Sequence, residues 1–180
     1  MKAVYIDHHG GPEVLTYGDR PEPEVSPGEI MLRVGASALN HTDLNLRDGS
    51  SYNGHLPRIL GLDVSGEIVN ISPTANTTLK VGDRILLDDR HKCGSCDYCR
   101  QGNDQYCANQ RRYGVDLDGG HAEYITASCA NAYLDTAQHV VHRSCCSPHR
   151  SPYRPALSNN TRSHSTLGRR IDSSCWERGG

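Results

Sequence analysis

Among its 180 residues the chain has no phenylalanine, one tryptophan and two methionines. Any core must therefore be filled by aliphatic side chains and some of the nine tyrosines. No apolar run approaches the roughly 20 residues that a membrane-spanning helix needs, which excludes helical membrane insertion. The opening Met1-Lys2-Ala3-Val4-Tyr5-Ile6-Asp7 reaches an acid before any apolar stretch of signal-peptide length, so the expected compartment is the cytoplasm. Neither charge sign dominates: a formal net charge of −2 and a pI near 6.5 give no reason to expect a nucleic-acid or membrane partner. Nor does any Gly-x-Gly-x-x-Gly follow a strand-like run, so no dinucleotide-binding loop is present. The length suits one domain, or one domain and a remnant of another, but not a two-domain enzyme.

What is present falls into two compositions. Residues 1–138 carry 12 Lys and Arg against 19 Asp and Glu, a net of −7, whereas residues 139–180 carry 7 against 2, a net of +5. The first part reads as short alternating runs between turns, with strands expected at Lys2 to Ile6, Ile30 to Val34, Val64 to Ile71, Arg84 to Leu87 and His121 to Ala127. Ile30, Leu32 and Val34 share one face at a period of two, and only Ser37 to Arg47 can hold a helical turn. Many short strands joined by Gly-rich turns predict a mainly β fold, a barrel or sandwich. The last 42 residues contain eight Ser, seven Arg and only five Val, Ile or Leu, too little apolar surface to offset the entropy of ordering; they are expected to be disordered.

The strongest chemical signal is Cys93-x2-Cys96-x2-Cys99-x7-Cys107. Four thiolates brought together by tight turns can enclose a tetrahedral zinc ion and leave no position open for a substrate, which makes such a site structural. Gly94, Ser95 and Gly102 allow the turns, and Lys92, Arg100, Arg111 and Arg112 can offset the two net negative charges of a zinc tetrathiolate. Disulfides would need an oxidising compartment. An iron–sulfur cluster is the nearer rival, but the fourth Cys follows after seven residues rather than three and has no Pro behind it. A nucleic-acid zinc finger would need two separated pairs and a basic surface, whereas Asp88 to Arg112 holds five basic and four acidic residues. Cys129, Cys145, Cys146 and Cys175 have no partnered spacing and read as free thiols; His8, His9, His55 and His91 read as loop residues.

Several motifs line up in order: Met1-Lys2-Ala3-Val4, Gly11-Pro12-Glu13-Val14-Leu15, Pro27-Gly28-Glu29, Ala38-Leu39-Asn40-His41-Thr42-Asp43-Leu44, Leu60-Gly61-Leu62-Asp63, Val81-Gly82-Asp83-Arg84, the four-Cys lobe, and Gly119-Gly120-His121-Ala122-Glu123-Tyr124. Over residues 1–133 this resembles the N-terminal, GroES-like substrate domain of the medium-chain dehydrogenase/reductase family, in its zinc-type alcohol dehydrogenase branch. The resemblance implies a GroES-like β-barrel carrying a structural zinc on Cys93, Cys96, Cys99 and Cys107. It implies as well an NAD(P)-dependent oxidoreductase acting on a small-molecule alcohol, carbonyl, quinone or enoyl substrate, with homo-oligomers left open. The family's second, catalytic zinc is held by a Cys and a His-Glu pair; Asn40, Leu62 and Asp63 stand at those positions here. Leucine cannot bind a metal and an amide oxygen binds zinc poorly, so catalytic zinc is expected to be absent, as in relatives resembling quinone or enoyl reductases. Fixed hydrogen-bond donors would then replace the Lewis acid, with Asn40, His41, Asp43 and Asp63 as the candidates. Each has a plainer structural role available: Asn40 can cap the following turn, His41 and Asp43 can bond local backbone, and Asp63 can pair with an Arg.

The family's Rossmann cofactor domain would follow this barrel, and residues 134–180 do not supply it. Back-translated and reread one base later, His142 to His149 admits Ala-Ala-Leu-Pro and Ile171 to Gly179 admits an apolar run into Gly-x-Gly, both resembling the family's continuation. Residues from about 134 are therefore expected to be an out-of-frame reading, against the alternatives of a genuine tail or a retained intron. NAD(P) is expected for the full-length family member and not for this chain. Besides an oxidoreductase fragment inactive alone, a non-catalytic zinc-bound binding module and a nonfunctional truncated product remain readings of another class.

Overall fold

A computed structural model of the protein describes residues 1–50 and 55–135. The expectations for residues 136–180, including Cys145, Cys146 and Cys175, lie outside the described residues.

Among the described residues, three sheets are built from strands β1 (Lys2–Ile6), β2 (Thr16–Asp19), β3 (Glu29–Ala38), β4 (Arg58–Ile59), β5 (Asp63–Ile71), β6 (Arg84–Leu87), β7 (Arg90–His91), β8 (Arg111–Arg112), β9 (Tyr124–Ser128) and β10 (Ala132–Leu134). The five-stranded sheet runs β10-β6-β5-β3-β9, all antiparallel; β2-β1-β4 forms a second sheet and β7-β8 a short ribbon. The stretch leading into β9 ties the first two sheets together, because Val4 N–H donates to the His121 carbonyl at 2.7 Å and Ala3 bridges Ala122. The fold is thus mainly β, as the alternation predicts. Strand β9, expected from His121, starts later, at Tyr124, since residues 121–123 serve this junction.

Two features of β3 explain why it organises the sheet. Ile30, Met31 and Leu32 are all buried in succession, which simple alternation would forbid. The pairing with β5 shifts register between Met31 and Leu32 and again between Val34 and Ala36, and such irregularities break the period of two. The main core joins Ile30, Leu32, Val64, Ile68, Ile85, Leu87, Tyr113, Ile125 and Ala127. Aliphatic residues fill it, and Tyr113 is its one aromatic. Seven of its nine members are Ile, Leu or Val, and fully burying each contributes roughly 1.5–3 kcal/mol, so the core is built without phenylalanine.

A smaller core of Ile6, Val14, Leu46 and Leu60 lies under helix α1 (His41–Asp48). Leu46 is the buried aliphatic of that helix, and Gly49, at φ +78°, ends it in the left-handed conformation favoured by glycine. His9 helps fasten the same end, its Nδ1 lying 2.8 Å from the Leu46 carbonyl. At the other end of the domain β10 pairs with β6 through Leu134, and Asp135 continues the join, its N–H donating to the Arg84 carbonyl and its carboxylate meeting the Arg84 guanidinium at 3.0 Å. Ordered pairing therefore runs past residue 133.

Candidate metal centre and Asn40 site

Between β7 and β8 the chain leaves the barrel and returns, and this excursion carries the four cysteines. Cys96 precedes the short helix α2 (Asp97–Arg100), which contains Cys99, and a 3-10 turn over Asp104–Tyr106 delivers Cys107. Gly94 and Gly102 take positive φ at the tight corners. All four Sγ atoms lie within 4.8 Å of one another. Cys93 Sγ is 3.5 Å from Cys107 Sγ and 4.0 Å from Cys99 Sγ. A tetrahedral zinc with arms of about 2.3 Å needs sulfurs about 3.8 Å apart, so these spacings fit the ion. They do not fit a disulfide at about 2.05 Å, and each cysteine is a free thiol.

The lobe also prepares its sulfurs unequally. Backbone N–H groups of Ser95 and Cys96 donate to Cys93 and hold its thiol down at about 5. Desolvation and the adjoining Cys96 and Cys107 thiols push Cys99 up to about 12.

Lys92 does not offset the sulfur charge as the sequence leads one to expect. Its Nζ sits 2.9 Å from Asp104 of the lobe and 3.0 Å from Asp88 of the barrel, with 13% of the side chain exposed. Desolvation opposes its charge, but the Asp104 and Asp88 carboxylates outweigh that and hold the ammonium above its ordinary range. The lysine pins the lobe to the domain. His91, expected in a loop, forms half of β7 with its ring 3.4 Å from the buried Tyr113 hydroxyl; burial and Arg111 lower its pKa. Cys129 is a free thiol raised by burial.

The four candidate residues of the second site separate into two kinds. Asn40 is the N-cap of α1, and its Nδ2 donates to Asp63 Oδ2 at 2.9 Å, joining the end of β3 to the start of β5. Asp63 thus accepts from the Asn40 amide. Asp43 is 2% exposed and accepts from Asn40 N–H at 2.8 Å and from Gly61 N–H at 2.9 Å. Its carboxylate works as a staple between helix and turn, and both bonds go to main chain. His41 is exposed on the first turn, away from this cluster's buried bonds. Leu62 is 6% exposed, so the position beside Asp63 is apolar and packed.

Gly61 holds this turn at φ +102°, and a Cβ there would lie 2.8 Å from His121 N and 2.8 Å from Ser37 Oγ. A Gly61→Ala substitution is expected to cost about 2–4 kcal/mol, the left-handed penalty added to forced repacking. Urea denaturation measures it; a loss below about 1 kcal/mol would mean that the turn relaxes freely.

With this geometry in place, comparison with known proteins gives a consistent result. The alcohol dehydrogenase GroES-like domain model matches residues 26–135, more than half of the chain. The chain belongs to the zinc-type alcohol dehydrogenase-like family. It is 34% identical over 131 residues to an NAD-dependent alcohol dehydrogenase of Sulfolobus acidocaldarius, covering 69% of this chain and 37% of that protein. It is 33% identical over 136 residues to an L-threonine 3-dehydrogenase of Pyrococcus horikoshii, covering 74% of this chain and 38% of that one. Among solved structures, a cobalt- and zinc-bound thermostable alcohol dehydrogenase from Pyrobaculum aerophilum superposes with a TM-score of 0.74 at 27% identity, over 82% of this chain and 44% of its own. The chain spans less than half the length of each.

Within this alcohol dehydrogenase-like domain, sequence reasoning singled out Asn40 and Asp63 but passed over two residues beside them. Ser37, near the end of β3, and His121, in the junction before β9, both crowd against Gly61. Buried Ser37 Oγ and His121 Nε2 have no hydrogen-bond partner among the described residues. The available signal was Gly119-Gly120-His121, where two small residues admit a close approach and a titratable one follows.

Proposed function

We propose that this domain is the substrate-side part of an NAD(P)-dependent alcohol dehydrogenase-like oxidoreductase, that Cys93, Cys96, Cys99 and Cys107 hold a structural zinc, and that the chain does not turn over alone. The observation that carries the zinc assignment is the closure of four Sγ atoms within 4.8 Å at the end of a lobe pinned by Lys92. Four sulfur ligands fill a tetrahedral ion completely, so the metal braces the lobe and leaves no coordination site for substrate.

The reacting end belongs to Asn40 and Asp63. One Nδ2 hydrogen of Asn40 is held by Asp63, which fixes the amide plane. The remaining N–H can then donate to a substrate oxygen on which negative charge gathers, the task that a Lewis acid performs elsewhere. A nicotinamide cofactor, when bound, supplies or accepts the hydride. Leu39, 78% exposed, and Leu44, 45% exposed, flank Asn40 with apolar surface suited to a flat organic substrate or a covering domain. The relatives' names support a small hydroxyl or carbonyl compound as substrate; the Asn40–Asp63 pair supports extension to quinone or enoyl acceptors.

Purified chain is expected to contain one zinc per molecule by elemental analysis and to show no saturable change in fluorescence with NADH or NADPH. Zinc-free protein that remains folded would overturn the metal assignment. Saturable nucleotide binding would overturn the claim that cofactor is not held here.

A further inference from the structure

We propose that His121, Ser37 and Asp43 form a pH-responsive clasp on the Gly61 turn, which loosens that turn and the Asn40–Asp63 pair it adjoins when the imidazole takes up a proton. The proposal does not depend on hydride transfer, since it concerns the bonds that hold the turn.

Three elements meet at Gly61. From β3 comes Ser37, whose Oγ would lie 2.8 Å from a Cβ on Gly61; from the junction before β9 comes His121, whose Nδ1 would lie 2.7 Å from the same point. From α1 comes Asp43, already committed to the N–H groups of Gly61 and Asn40. The missing side chain at Gly61 leaves room for the serine hydroxyl and the imidazole, while the Asp43 carboxylate accepts from Gly61 N–H. His121 is fixed by its own main chain, with N–H donating to Leu60 O at 2.9 Å and C=O accepting from Val4 N–H at 2.7 Å. The main chain at His121 is thus held at the junction between sheets, which sets where the imidazole is attached.

Nε2 is buried without a partner among the described residues, as is Ser37 Oγ. A neutral imidazole tolerates this with one nitrogen an acceptor and the other a donor. Protonation makes both nitrogens donors beside a hydroxyl and a carboxylate, and a buried cation demands acceptors. Asp43 is the charged group that acts on the ring; Ser37 from β3 is neutral, Leu60 and Gly61 offer main chain, and β1 contributes the Val4 amide. An imidazolium there attracts the Asp43 carboxylate, whose oxygens now bind Gly61 N–H and Asn40 N–H. Burial lowers the His121 pKa from 6.5, with Asp43 opposing. The unfolded chain then binds the proton first, so stability falls as pH drops from 6.5 through the folded value.

The test is a heteronuclear NMR titration of the zinc-loaded full chain from about pH 7.5 to about pH 5. The His121 ring and the amides of Gly61 and Asn40 are expected to shift together, with a common midpoint below 6.5. In His121→Gln the shared transition should vanish from both amides. Ser37→Ala, which removes an acceptor for the charged ring, should move the midpoint lower still. A His121 midpoint at or above 6.5, or amides that stay still while the ring titrates, would overturn the clasp, and wild-type protein alone can give either result.

Discussion

Cys107→Ser is expected to abolish stoichiometric zinc binding and unravel the lobe while the barrel stays folded. Cys107 is the most buried of the four ligand candidates, at 7% exposure, and it is reached only after the turn at Asp104–Tyr106. Its sulfur receives the Cys93 N–H at 3.4 Å and lies 3.5 Å from Cys93 Sγ, so it closes the ring that Cys93 opens. A serine hydroxyl keeps its proton at neutral pH and offers zinc a poor fourth bond. Losing even an outer-shell partner of a metal typically weakens binding roughly 10–100-fold; losing a ligand should exceed that. Competition with a chromophoric chelator reads the affinity, and proteolysis within 93–107 reads the loosening. Unchanged metal content would remove zinc from these four sulfurs. The barrel should survive because its main core draws no member from residues 93–107.

The lobe was legible because its four thiols are close together in sequence. Four thiols within fifteen residues, separated by glycine and serine, can meet whatever the rest of the chain does. The strands were legible for a related reason: Ile30, Leu32, Val64, Ile68, Ile85 and Leu87 follow the period that one buried face imposes. What alternation cannot show is a register shift, and the buried Met31 between Ile30 and Leu32 arises from one. Nor can it show how distant loops meet. The Asn40–Asp63 bond joins residues 23 apart, and Asp43 reaches Gly61 across 18; neither spacing matches a helix or strand period. Lys92 illustrates the same limit at short range. A flexible ammonium next to thiolates could turn to sulfur or to carboxylate, and only the placement of Asp88 and Asp104 decides it. His121 stayed hidden because its importance lies in the space left by Gly61, which is a property of three packed elements.

Asp43→Ala is expected to be the most damaging single substitution for stability outside the lobe. Surface carboxylates contribute little because water replaces their partners, but Asp43 is 2% exposed and water cannot. Each oxygen takes one main-chain N–H, at 2.8 and 2.9 Å, and Gly61 is itself buried. Removing the carboxylate forfeits two charge-assisted bonds and leaves the Gly61 donor buried and unpaired. Such a bond is worth about 1.5–3 kcal/mol, so the two lost bonds alone set an expected loss of about 3–4 kcal/mol at the lower end, before any cost of the stranded donor. Against the roughly 5–15 kcal/mol of a typical domain this would lower the melting temperature by on the order of 15 °C. Asp43→Asn keeps one acceptor oxygen and should lose about half as much, whereas a purely electrostatic role would make the two variants equal. High salt should leave the loss unchanged, because a buried carboxylate is poorly screened. Urea denaturation of the zinc-loaded chain gives the number, and a loss below about 1 kcal/mol would show that α1 and the Gly61 turn hold together by packing alone. Since Asp63 lies two residues after Gly61, the same variant should weaken its bond to Asn40, coupling the stability of the fold to the placement of the Asn40 amide.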